Sequence, residues 1–181
     1  DATVSFFGHR LSAIGPHQRD GLLRLCALDP VGAVALAHQL CRWDRWGNGD
    51  VVVLGRPGRP AAGAWATGSL MPFGLAARPG LGHDGVGSAG ARAVADHARL
   101  RLVRHGSLTG PAQDVEAVWG PLAADGLHAR EERWIQPLLV APTPAGGLAE
   151  AVLGRRPALR WAVEGLHAAS STETDLVLPA S

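Results

Sequence analysis

The 181-residue chain contains no tyrosine and no lysine, so all 17 basic residues are arginine, set against 16 acidic ones for a formal net charge of +1. A GC-rich genome accounts for the bias, since arginine has GC-rich codons and lysine does not; thermal adaptation instead enriches lysine and glutamate. The near-neutral balance argues against a strong electrostatic partner for the chain as a whole. The densest arginine clusters (Arg99, Arg101 and Arg104; Arg155, Arg156 and Arg160) are short and lack interleaved aromatics, which argues against nucleic-acid binding. Two cysteines are too few for a disulfide framework, and Cys26 and Cys41 both fall in apolar helical patterns; buried free thiols and a cytoplasmic location are expected. No apolar run approaches the roughly 18 residues of a membrane span. The opening DATVSFFGHR shows neither a basic leader nor a cleavage-type segment, and without an initiating Met the expectation is a sequence that begins inside a longer product.

Hydrophobic residues make up 46% of the chain and charged residues 18%, the balance of an ordered globular protein long enough to bury a real core. TVSFFG (3–8) reads as a first strand. HQRDGLLRLCALD follows as a helix with Leu22, Leu25, Cys26 and Leu28 on one face. Asp29-Pro30 closes it and opens a second, with Asp29 as its cap and Val34, Ala37, Leu40 and Cys41 inward. WDRWGNGD (43–50) is a turn, VVVLG (51–55) a buried strand and RPGRP (56–60) another turn. AAGAWATGSLMPFGL then reads as one long strand or two short ones interrupted near Gly68, weakened or bulged at Pro72, which has no N–H for a ladder.

Residues 82–97, GHDGVGSAGARAVADH, hold G-x-G-x-x-G at Gly85, Gly87 and Gly90. Ser88 is placed to cap a helix to about residue 100, with Ala91, Val94, Ala95 and Ala98 inward and Arg92, Asp96 and Arg99 in spaced ion pairs outside. HGSLTG (105–110) is a brief strand. Gly110-Pro111 starts a helix whose first turn carries Gln113 and Asp114, a favourable place for negative charge. Val115, Val118, Trp119 and Leu122 face the core there, and Gly120-Pro121 kinks or ends the helix. ERWIQPLLVAP (132–142) is the last strong strand, and APTPAGG (141–147) a linker signal. LRWAV (159–163) then looks like a new strand and SSTETDLVLPAS a new helix.

The order strand, two helices, three strands, helix, strand, helix, strand is similar to the GNAT acyltransferase fold, an α/β architecture whose central mixed sheet splits to admit acetyl-CoA. LDPVGAVALAHQL (28–40), SLMPFGL (69–75), GSLTGPAQDVEAVWGPL (106–122) and WIQPLLV (134–140) also resemble a domain of unknown function that precedes the GNAT domain in acetyltransferases of high-GC bacteria. RWAVEGLHAASSTETDLVLPAS looks like the first strand and opening helix of that catalytic domain. The resemblance implies a degenerate GNAT-like domain over residues 1–141, a linker over 142–158 and the start of a truncated catalytic domain over 159–181. It also implies a following catalytic GNAT domain as partner and acetyl-CoA as the parent enzyme's cofactor.

Backbone N–H groups at a helix start suit a CoA pyrophosphate, and Gly85, Gly87, Ser88 and Gly90 are the candidate cofactor-binding residues. GNAT proteins carry Gln/Arg-x-x-Gly-x-Gly/Ala here; Gly82 stands where the Arg or Gln belongs. A flexible helix entrance is the competing account, and a Rossmann reading fails for want of an acidic residue closing a strand about 20 positions on. The tyrosine that many GNAT enzymes use to protonate the departing thiolate has no counterpart. Pro72 removes a donor where a strand N–H would polarise the thioester carbonyl. His128, Glu131 and Glu132 have the chemistry of bases, though a solvated charged turn explains them more simply. His83-Asp84 and Asp96-His97 form no zinc set. The six tryptophans read as core and interdomain anchors, with Trp43 and Trp46 as a lesser candidate for lining a groove. The leading expectation is a domain that supports acetyl transfer to an amine without performing it, with no catalytic or metal-binding residue of its own. The rivals are an acetyl-CoA-binding, acyltransferase-active domain and a stand-alone interaction or ligand-sensing module.

Overall fold

VVVLG is apolar at every position, as a strand covered on both faces must be, and in the computed structural model it is an interior strand of the sheet, with a neighbour on each side. The structure describes residues 10–101, 106–130 and 132. Their elements run β1 (Leu11–Ala13), α1 (Arg19–Cys26), α2 (Val34–Arg42), β2 (Val51–Arg56), β3 (Arg59–Thr67), β4 (Ser69–Phe73), α3 (Gly87–Arg99), β5 (Ser107–Leu108) and α4 (Ala112–Ala124). The described sheet has five strands in sequence order, β1 to β4 antiparallel and β5 parallel to β4. The protein is thus mixed α/β with a five-stranded mixed sheet and four described α-helices.

Alternation along the strands divides the core in two. Val51, Val53, Trp65 and Phe73 point to the face covered by α1 and α2, where they meet Leu22, Leu36 and Leu40. Val52, Leu54, Ala62, Ala64, Ala66 and Leu70 point to the other face, under Val94, Ala95 and Ala98 of α3 and Val118 and Leu122 of α4. Alanine faces alanine between β3 and α3, so helix and sheet approach closely. Cys26 and Cys41 are buried free thiols in the first cluster. No described helix is long and apolar enough to cross a membrane.

Several expectations need correction. The strand at 3–8 lies outside the described residues; the first described strand is instead Leu11–Ala13, too short to carry a legible alternation. Leu28 is 43% exposed because α1 ends at Cys26, before its apolar face reaches that residue. Asp29 does not cap α2 directly. Its carboxylate accepts the Gly32 N–H at 2.9 Å and its carbonyl that of Ala33, closing a turn that leads to the helix at Val34. Gly68, at φ +67°, does break the β3–β4 run.

No bulge forms at Pro72, whose pairing with Ala64 continues in register to Gly63 and Phe73. The Leu70 carbonyl accepts from Thr109 N, so Leu70, and Pro72 two residues on, direct their main-chain polar groups away from β3. The absent N–H therefore costs the β3–β4 ladder nothing. The register break falls in β2–β3 instead, at Leu54/Gly55. Helix α4 runs through Pro121 to Ala124, its last turn held down by the buried Leu122. The expected strand at 132–142, the linker at 142–158 and the strand and helix at 159–181 lie outside the described residues.

Candidate functional site

Residues 74–86 join β4 to α3, and their shape is imposed from α4. Asp114, in the first turn of α4, is wholly buried. One carboxylate oxygen accepts the Gly74 N–H at 3.2 Å and the other the Ala76 N–H at 2.7 Å, while the Arg78 guanidinium donates at 2.6 Å. Arg78 also reaches the Ala76 carbonyl, lies 3.6 Å from Asp29 and stacks 4.4 Å from the Phe73 ring centroid. One guanidinium thus ties the α1–α2 turn, the end of β4 and the start of α4 together. His83 Nε2 lies 2.7 Å from the Gly74 carbonyl, and main-chain bonds between Arg78 and His83 close the loop on itself.

Within this frame the glycines divide by role. Gly85, at φ +73°, presses on the 75–77 backbone: a Cβ there would stand 2.7 Å from Ala77 N. Gly90 is buried on α3, where a Cβ would meet Val86 at 2.6 Å and Leu54 at 3.2 Å. Both make close packing possible. Gly87 also has a positive φ, +67°, but faces open space.

A groove of about 370 Å³ opens beside Gly87 and Ser88 at the mouth of α3. Leu75, Ala77, Ala91 and Ala117 form its apolar wall, and Asp84 is its one charged lining residue. Of the four candidate cofactor residues, then, Gly87 and Ser88 line a groove, whereas Gly85 and Gly90 are spent on packing. Ser88 does not cap the helix; α3 begins at Gly87 after Val86, with no side-chain hydrogen bond at its start.

The remaining candidates sit apart from the groove. His128 and Glu132 are exposed, and Glu131 lies outside the described residues. His97 Nε2 lies 2.7 Å from the Gly49 carbonyl, pinning the 47–50 turn to α3. Trp46 donates to the Ile14 carbonyl at 2.7 Å and meets Trp65 edge to face at 5.8 Å, a core role; Trp43 is 46% exposed and donates to Gln39. On the outside of α3, Arg92 pairs with Asp96 as expected, but Asp125 after α4 takes both Arg92 and Arg99. Those carboxylates hold the Arg92 guanidinium above its ordinary range. Among the described residues no group of three or more His, Cys, Asp or Glu could hold a metal ion.

Sequence reasoning placed Asp114 as a helix-start charge and missed its burial. A signal was present: Asp114 stands four residues before Val118, hence on the apolar face of α4.

Among known proteins, no curated protein and no solved structure matches the chain. One family profile does, described as a domain of unknown function (DUF4081), over residues 49–157. That stretch takes in β2 to α4, with the Arg78–Asp114 clamp and the groove it shapes. It covers more than half of the chain, and the protein therefore belongs to the DUF4081 domain family.

Proposed function

We propose that this chain is a degenerate GNAT-like domain that supports, without performing, acetyl transfer from acetyl-CoA to an amine by a partnering catalytic domain. The observation that carries the reading is the short β4–β5 pairing. Among the described residues the strands pair at Ser69/Ser107 and Leu70/Leu108, and after the Thr109 N–H bond to the Leu70 carbonyl the ladder ends, although Gly110 still passes close to Pro72. In the fold it resembles, the central mixed sheet splits to admit the acyl donor, and a short parallel pairing is compatible with such a split. The sequence order of strand, two helices, three strands, helix, strand and helix is compatible with that likeness.

The residues around the opening fit a CoA donor poorly. Pro72 has no N–H to offer a thioester carbonyl. The groove at the start of α3 is lined by a carboxylate, Asp84, and by no arginine or histidine, the reverse of what a pyrophosphate requires. Gly82 points no side chain anywhere, and Gly85 and Gly90 are occupied in packing. A scaffold with these features keeps the shape and lacks the donors.

Acetyl-CoA binding by the domain itself is the second reading, favoured by the open, positive-φ Gly87 beside Ser88 in the groove. Calorimetry with CoA on the 181-residue chain distinguishes the two. No heat of binding is expected. Micromolar binding abolished by Gly87→Glu would replace the supporting-domain reading with the second one.

A further inference from the structure

Arg56 and Arg59 face each other as Cα partners across the end of the β2–β3 hairpin, flanking the Pro57-Gly58 turn. Directly opposed residues project to the same side of a ladder, so two like charges are held together at the tip. A third joins them. Arg24 of α1 donates to the Gly58 carbonyl at 2.9 Å. The assembly is rigid: Gly21 lets α1 approach so closely that a Cβ there would collide with the Pro57 carbonyl oxygen.

All three arginines are exposed, and among the described residues none has a carboxylate within ion-pair distance. Asp20, four residues before Arg24 and spaced to pair with it, forms no ion pair with it; Arg24 is turned to the hairpin instead. Opposed like charges are unfavourable in a ladder, and a GC-rich codon bias explains arginine in place of lysine but not three arginines gathered at one turn, two from the hairpin and one from α1.

We propose that this tip is a docking surface for an acidic protein segment whose carboxylates take the guanidinium forks in pairs. Carboxylate and phosphate both suit arginine geometry. A protein segment is favoured because Gly58 faces open space, which leaves no walled site for a small phosphate. Among the described residues no aromatic ring lies in cation–π contact with the three arginines, so none is placed there for a base to stack on, as a nucleic acid would require.

The test uses the whole chain with an oligoglutamate peptide as probe, and inorganic pyrophosphate in a parallel titration. The peptide is expected to bind in a salt-sensitive manner and to lose about tenfold in affinity in the double variant Arg56→Gln/Arg59→Gln. The double variant Arg10→Gln/Arg45→Gln, with the same change in net charge at exposed positions elsewhere, keeps the wild-type affinity. Equal loss in both variants, no peptide binding, or pyrophosphate binding at the tip without peptide binding overturns the proposal. Because the tip variant relieves repulsion, its melting temperature stays at or above wild type; a clear fall would make the pair structural and also overturn it.

Discussion

Arg78 and Asp114 lie 36 residues apart in sequence and meet at 2.6 Å, the cation 9% exposed and the carboxylate not at all. The carboxylate shapes the β4–α3 loop directly, through two main-chain N–H groups, and indirectly, through a guanidinium that also approaches Asp29. The groove beside Gly87 inherits its walls from this clamp.

Replacing Asp114 with Asn leaves the shape nearly unchanged but removes the charge and turns an N–H₂ toward groups that are all donors. A loss of about 3 kcal/mol in unfolding free energy is expected, the scale of a buried pair stripped of one partner. Urea denaturation measures it. A loss below about 1 kcal/mol would mean that the loop holds its form without the clamp.

Gly85 and Gly87 share a positive φ yet differ in surroundings, which separates two causes of glycine dependence. Gly87→Ala meets only backbone strain and is expected to cost about 1–2 kcal/mol. Gly85→Ala adds a collision with the 75–77 backbone, which cannot swing aside as a side chain can, and is expected to cost clearly more. Thermal melts of the two variants side by side provide the check; equal costs would assign the whole effect to φ.

The absence of lysine and tyrosine makes the alkaline limb of stability unusually simple, since the cysteines are the main side chains that titrate there. Burial pushes the Cys26 thiol far above its ordinary range, with nearby Cys41 adding to the effect. The native thiol keeps its proton while the unfolded one loses it. Stability from this group is therefore complete at neutral pH and falls once pH rises above the ordinary thiol value, by up to about 1.4 kcal/mol per pH unit. Denaturant midpoints between pH 8 and 10 reveal the slope, and Cys26→Ala is expected to flatten it. An unchanged slope in that variant would place the linkage elsewhere.

Much of the architecture was legible in local patterns. The uninterrupted VVVLG run required cover on both faces, and two helical layers provide it. The spacing of Ala91, Val94, Ala95 and Ala98 marked the buried side of α3 correctly, and the brief strand at 107–108 stood out between two breakers. Errors fell where a local rule met a distant neighbour. A proline that weakens strands in general sits in β4 without breaking its pairing to β3, because its nitrogen does not face that ladder. Ser88, suited by type to capping, was displaced because the helix starts one residue earlier.

Residue order and hydrophobic period alone determined which segments became helices and strands and which of their faces turned inward, because those preferences act over a turn or a pleat. The use of each glycine, the burial of Asp114 and the gathering of Arg24 from α1 beside Arg56 and Arg59 of the hairpin were settled only when the layers closed. Close approach and charge pairing depend on atoms that the chain brings together from 34 to 40 positions away, and no local pattern encodes that distance.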